Sequence, residues 1–146
     1  MNNFQPLHIQ TPLVTSLALA SGAQQTIWLK LDALQPSGSF KLRGVGHACQ
    51  VHAARGAKRF ISSSGGNAGL AVAYAGRMLG LAVRVVVPVT ATDQAKQLLK
   101  LEGAEVIVHG DSWQEANQLA MSMLSPADAF IHPFDDALLW EGHASM

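Results

Sequence analysis

The sequence predicts an α/β fold, a small parallel sheet with helices on both faces, and three observations predict it. Glycines 56, 80 and 103 each stand directly before a β-rich apolar run: GAKRFIS from Gly56, GLAVRVVV from Gly80 and GAEVIVH from Gly103. Their spacings, 24 and 23 residues, leave room for one strand and one helix per unit. The composition, 49% hydrophobic and 14% charged, suits a core-rich domain rather than a disordered chain. Helices that stop at glycine and alternate with apolar strands build a parallel sheet with right-handed crossovers. The units share no side-chain signature, so the repetition is one of architecture and not of a solenoid.

Each element follows in order. Thr11–Ser16 is extended, because Pro12 moves Thr11 away from helical backbone. Thr26–Leu31 (TIWLKL) alternates and is β-rich, a strand. After a turn at Pro36–Ser39, a helix runs from about Phe40 to Arg55 and stops at Gly56. Strands are expected at Arg59–Ser62, Arg84–Val87 and Glu105–Val108, and a weaker fourth at Ala129–His132 after a helix over Ser112–Leu124. A helix starts near Asn67, with Asn67 as its N-cap. A last helix starts at Asp135 or Asp136, where an acidic N-cap explains the pair, and carries Leu138, Leu139 and Trp140 with nothing after it to pack against. The segments flanking the rhythm, 1–35 and 133–146, read as parts of a longer architecture of which this chain is the front. Trp28, Trp113 and Trp140 are expected to be packing anchors, and Cys49 a small buried side chain within a helix.

Charge and composition exclude several classes. The formal net charge is +0, so no basic field invites nucleic acid and no polybasic stretch suits a membrane surface. The apolar run Leu81–Pro88 is interrupted by Arg84 and is too short to span a bilayer. The opening MNNFQPLHIQ lacks the basic start and apolar core of a signal peptide, and one cysteine forms no internal disulfide. A cytoplasmic location is the expectation. None of the six histidines has a second at i, i+4 with an acidic neighbour, so no metal site is expected.

Two stretches carry chemistry. In QPSGSFKLRG (Gln35–Gly44) one lysine, Lys41, follows a flexible Ser/Gly turn and an aromatic neighbour, Phe40. A lysine aimed into a pocket can act as a nucleophile or form a Schiff base. In SSSGGNAGLAVAY (Ser62–Tyr74) a Ser/Gly-rich loop joins a strand to a helix start. Free backbone N–H groups and the helix dipole there favour an anion, and glycines let the backbone approach a ligand. Neither a dinucleotide fingerprint nor a P-loop is present. The residues leave the anion open between a phosphate and a carboxylate, and a tight turn without a ligand is the plain alternative. A lysine paired with an anion-gripping loop suggests pyridoxal phosphate chemistry.

PSGSFKLRG, then SSGGNAGLAVAYAGRMLG, then HPFDDALLWEGHAS resemble, in order and spacing, the pyridoxal-phosphate-dependent serine/threonine dehydratases of the tryptophan-synthase-β-like fold. GGNAG and WEGHAS are more similar to the catabolic serine dehydratases; biosynthetic threonine dehydratases carry His-Ala-Gln where this chain has Ala68–Gly69–Leu70. The resemblance implies the small domain of a fold-type II enzyme at residues 40–133. It implies fragments of a larger α/β domain on both sides: an N-terminal segment at 1–39, and at 134–146 the start of the return into that domain, with the remainder absent. It implies that Lys41 binds pyridoxal 5′-phosphate as a Schiff base and that Phe40 packs on the pyridine ring. Ser64, Gly65, Gly66, Asn67 and Ala68 match the loop that holds the substrate carboxylate, and Asn67 matches the asparagine that bonds the cofactor's 3′-oxygen. The anion at this loop is then the substrate carboxylate. The family's phosphate-cradling glycine run and the neutral group at the pyridine nitrogen are expected beyond Met146, since Gly65–Gly66 is the one adjacent glycine pair. The activity implied is ammonia-lyase: L-serine to pyruvate and ammonia by β-elimination. The alternatives are L-threonine to 2-oxobutyrate, or a truncated, inactive fragment of such an enzyme. The partner is a small amino-acid substrate, and a full-length form is expected to be a homodimer.

Overall fold

Residues 5–22 and 25–146 are described by the structure, a computed structural model. Two sheets form, and they differ in kind. Leu13–Thr15 (β1) and Trp28–Lys30 (β2) pair antiparallel with Val14 opposite Leu29. Between them lies one helical turn, Leu17–Ala20 (α1), whose start is capped by the Ser16 hydroxyl accepting from the Leu19 N–H. A 3-10 turn at Asp32–Leu34 leads to the long helix Lys41–Ala54 (α2).

The second sheet is the expected one. Its strands are Arg59–Ser62 (β3), Ala82–Val87 (β4), Glu105–Val108 (β5) and Asp128–Phe130 (β6). They lie in the order β5-β4-β3-β6 and all pair parallel. Asn67–Leu79 (α3), Asp93–Leu101 (α4) and Trp113–Ser122 (α5) connect them, and Ala137–His143 (α6) follows. The glycine stops work as the spacing predicts. Gly80 closes α3 at φ +68, a backbone conformation that costs glycine nothing, and its N–H returns to the last turn. A capping box between Ser112 and Glu115 starts α5.

Strand alternation divides the core between the two faces of the sheet. Phe60, Val85 and Val87 join Leu42 and Val45 of α2, Val72 of α3 and Leu99 of α4 on one face. Ile61 and Val86 meet Ala116 and Ala120 of α5 on the other. All of these side chains are fully buried, and each large one contributes roughly 1.5–3 kcal/mol. Cross-strand ion pairs fix the register near the amino ends of the strands: Arg59 forks onto Asp128 at 2.7 and 3.0 Å, and Arg84 meets Glu105 at 2.7 Å.

Four expectations need correction. The last helix does have a partner, since α6 lies on α2 and Leu139 is buried. Two facing glycines permit the approach: a Cβ on Gly44 would stand 2.5 Å from the Leu139 carbonyl oxygen, and one on Gly142 would meet the Gly44 Cα at 2.7 Å. Apolar patterning does not register contacts made by glycine. Trp28 and Trp140 are 57% and 59% exposed and are not anchors; only Trp113 is half-buried, beside His132 and Phe134. Asn67 is the first helical residue of α3 rather than its N-cap, because Gly66 takes the extended cap position. The fourth strand ends at Phe130, not His132: the His132 Nδ1 accepts the Phe134 and Asp135 N–H groups and turns the chain. Asp136 caps α6 as expected, accepting from the Leu138 N–H at 2.7 Å, and Cys49 is buried within α2.

Candidate active site

In a parallel α/β sheet the helix N-termini gather at the carboxyl ends of the strands, and ligands bind there. Here β3 ends at Ser62 and feeds the Ser63–Gly66 loop into α3, β6 is followed by Pro133, and α2 begins at Lys41. Sequence distance separates these segments, and topology brings them to one end of the sheet.

The approach to Lys41 is a tight turn. The Gly38 N–H donates to Gln35 O at 2.7 Å, with Gly38 at φ +79, where a Cβ would be strained. Phe40 occupies the N-cap in helical conformation and supplies no side-chain cap. Phe40 is 39% exposed, and its ring packs at 5.3 Å, centroid to centroid, against His143 of α6. Lys41 is half-buried, with its Nζ 5.2 Å from the Phe40 ring centre. Among the described residues the amine donates to one group, the Pro133 carbonyl, at a long 3.3 Å. Burial first, then the charges of Lys41 and Arg43, lower the pKa of His143 and hold it neutral near pH 7.

The second candidate stretch is the Ser63–Gly66 loop, at the same end of the sheet. Its base is held rigidly: Ser62 Oγ donates to Ile131 O at 3.1 Å, and Ser63 Oγ to Asn117 Oδ1 at 2.8 Å. Its tip is open. A Cβ at Gly66 would meet nothing nearer than Ser64 Oγ at 4.0 Å, whereas one at Gly65 would stand 3.2 Å from Val87. Asn67 is exposed, and its side-chain amide has no hydrogen-bond partner among the described residues. Ala68 is buried at the first turn of α3. The first N–H groups of a helix have no intrahelical acceptor, so this turn offers donors to an anion. A cavity of about 390 Å³ is lined by Pro36, Ser37 and Gly38, by Asn67 and Leu70 of α3, and by Leu98, Leu101 and Glu102 at the end of α4. It brings the turn that precedes Lys41 to the start of α3, but Lys41, Phe40 and Ser64–Gly66 do not line it.

A neighbouring network lies outside what sequence reasoning found. Arg43, 2% exposed, forks onto Asp32 with Nε to Oδ2 at 2.6 Å and Nη2 to Oδ1 at 2.9 Å, and its Nη1 donates to Ser145 O at 2.9 Å. The hydrogen bonds from Arg43 hold the Asp32 carboxyl well below the ordinary carboxylate range, against the cost of burial. No periodicity links positions 32, 43 and 145, and the only sequence signal is an arginine within the lysine motif. His143 has no signal either, beyond its place in the WEGHAS stretch.

The chemistry of these groups fits pyridoxal phosphate at its aldehyde and ring. Lys41 offers a weakly engaged amine, and Phe40 an accessible aromatic face. Three buried polar atoms close by, Ser37 Oγ, Ser39 Oγ and His143 Nδ1, have no partner among the described residues, and such atoms favour a polar ligand. No group of three His, Cys, Asp or Glu side chains among the described residues is arranged to hold a metal ion.

Comparison with known proteins agrees with the motifs. Residues 4–146 match the family described as pyridoxal-phosphate dependent enzyme. The chain is 47% identical over 148 residues to the L-serine dehydratase/L-threonine deaminase of Homo sapiens, covering 100% of this chain and 45% of that protein. It is 49% identical over 152 residues to the L-serine dehydratase of Dictyostelium discoideum, covering 97% and 43%. Among solved structures, a fungal L-serine ammonia-lyase from Rhizomucor miehei superposes with a TM-score of 0.90 at 34% identity, over 97% of this chain and 45% of that one. A threonine deaminase, isoform 2 from Solanum lycopersicum in its processed form, gives 0.84 at 27% identity, over 92% and 38%. The chain therefore spans less than half the length of these relatives, and, with the family match extending over residues 4–146, it belongs to the pyridoxal-phosphate-dependent enzymes.

Proposed function

We propose that these residues serve an ammonia-lyase that converts L-serine to pyruvate and ammonia with pyridoxal 5′-phosphate. The observation that carries the reading is the half-buried Lys41 amine beside Phe40, at the same end of the sheet as the open Ser64–Ala68 loop. When bound, the cofactor supplies a carbonyl that exchanges amines and an electron sink for the α-carbon. Lys41 would hold that carbonyl through its amine and, when the substrate amine takes its place, would be the base for the substrate's α-proton. The unpaired N–H groups at the start of α3, with Ser64, Gly65, Gly66, Asn67 and Ala68 around them, bind the substrate carboxylate. The Asn67 amide would hold the cofactor's 3′-oxygen, and Phe40 would cover one ring face. The α-proton and the β-hydroxyl would leave as the elements of water, and the 2-aminoacrylate released would take up one water to give pyruvate and ammonia.

Threonine is the second reading, favoured by the names of the relatives, which include L-serine dehydratase/L-threonine deaminase and threonine deaminase. Under the same proposal, residues 40–133 are a small domain, and 1–39 and 134–146 belong to a larger one. The full-length form is a cytoplasmic homodimer.

Spectroscopy of the chain with added pyridoxal phosphate tests this. L-Serine is expected to shift the absorbance band of the lysine-bound cofactor, and Lys41→Ala to lack the band. A shift with L-threonine and none with L-serine selects the second reading. A band that neither amino acid moves contradicts both.

A further inference from the structure

The start of α2 carries Phe40 and Lys41, yet no side chain among the described residues caps it. Helix starts are ordinarily fixed by such a cap. Among the described residues, Lys41 Nζ has one hydrogen bond, a 3.3 Å contact to Pro133 O. Something else sets the position of this turn, and a buried polar node flanks it on both sides. Upstream, Gln35 exchanges two hydrogen bonds with Ile9, each 2.9 Å, and Lys30 Nζ donates to Thr11 O at 2.7 Å. Asp32 accepts from the Thr11 hydroxyl and from both prongs of the Arg43 fork. Downstream, Arg43 lies in the first turn of α2, and its remaining amino group reaches Ser145 O and Oγ. The segment 36–42 is therefore a bridge between two fixed posts, Asp32–Gln35 and Arg43, seven residues long.

We propose that Asp32 and Arg43 are the positioning pair of this site: their ion pair sets the height and direction of the first turn of α2, and so where the Lys41 amine meets its carbonyl partner. A forked guanidinium–carboxylate contact fixes two angles as well as a distance. That suits a role in orientation, since a misplacement of about 1 Å can cost on the order of a hundredfold in rate. The pair acts through Lys41 and touches neither substrate nor cofactor. The proposal rests on the reading of Lys41 as the reacting amine.

The test uses the 146-residue chain, its Asp32→Asn and Arg43→Gln variants, and the double variant, in which no lone charge stays buried if a single variant fails to fold. Two quantities are read in proteins with native circular dichroism. One is the rate at which pyridoxal phosphate becomes fixed to Lys41 by borohydride, against Lys58 as an internal standard. The other is amide hydrogen exchange across residues 36–43 against that of β3 and β4. The expected result is a loss of about tenfold or more in the Lys41 rate, unchanged labelling of Lys58, and exchange about tenfold faster in 36–43 alone. A natively folded variant with wild-type Lys41 labelling and wild-type exchange in 36–43 overturns the proposal. A general rise in exchange through β3 and β4 also overturns it, by assigning the pair a merely structural role. If the unmodified chain fails to label Lys41, the functional reading fails instead, and the exchange arm still decides whether the pair positions the turn.

Discussion

Gly69 lies in the first turn of a helix, where glycine normally lowers stability and alanine restores about 1 kcal/mol. Here the sign reverses. A Cβ at Gly69 would fall on the Ser64 carbonyl oxygen and stand 2.9 Å from its carbon. The obstacle is backbone, so it does not swing aside as a long side chain would. Ser64 also belongs to a loop whose base is tied down through Ser62 and Ser63. Overpacking of this kind costs typically about 1–3 kcal/mol. For a domain of this size that is about 3–4 °C per kcal/mol, or a fall in Tm of roughly 3–12 °C. Gly66→Ala is the internal control, since its Cβ finds open space at 4.0 Å. It forfeits only a favourable cap residue, a cost of about 0.5–1 kcal/mol. Thermal unfolding followed by circular dichroism measures both. A Gly69→Ala protein as stable as wild type, or more so, refutes the claim that α3 presses against the Ser64 carbonyl.

Acid should destabilise the chain in two stages. His8, His52 and His143 have pKa values lowered from 6.5, chiefly by burial, so the unfolded chain takes up those protons first and stability falls as pH drops below that value. Asp32 and Asp128 are held below the ordinary 3.8 by hydrogen bonds from Arg43 and Arg59, so their contribution is present above that value and is lost as pH falls beneath it. Tm measured across pH checks the order, and a Tm that rises on acidification below 6.5 contradicts it. Cys49 is fully buried and its thiol pKa is raised by desolvation, so an aromatic disulfide reagent should leave the native chain untouched and titrate one thiol after denaturation. Leu17 and Trp28, 87% and 57% exposed, lie on or between the first two strands. Such apolar surface drives association, so sedimentation velocity should show concentration-dependent association that Leu17→Ser with Trp28→Ser weakens.

Most of the sheet was legible because its signals are local. β3 and β5 begin and end at the expected residues, and β4 only extends two residues earlier, to Ala82. A β-branched run after a glycine stop is decided by neighbours in sequence. The two short elements, α1 and the 3-10 turn, escaped because neither is long enough to complete a hydrophobic repeat. The site was legible by motif at Lys41 and Ser64–Ala68. Its supports were not: Arg43 meets partners 11 and 102 residues away, and α6 docks on α2 through glycines that carry no apolar signal. The direction in which Trp28 and Trp140 face is likewise set by tertiary packing, and a count of aromatic residues does not contain it.

The central claim is that Lys41 is the amine that takes the cofactor carbonyl, and it can be tested on one peptide. The chain is incubated with pyridoxal phosphate, reduced with borohydride, digested and mapped by mass. The expected result is the cofactor mass on the peptide that contains Ser39–Arg43, and its absence in Lys41→Ala. Label distributed evenly over Lys30, Lys58, Lys96 and Lys100, with no preference for Lys41, would contradict it.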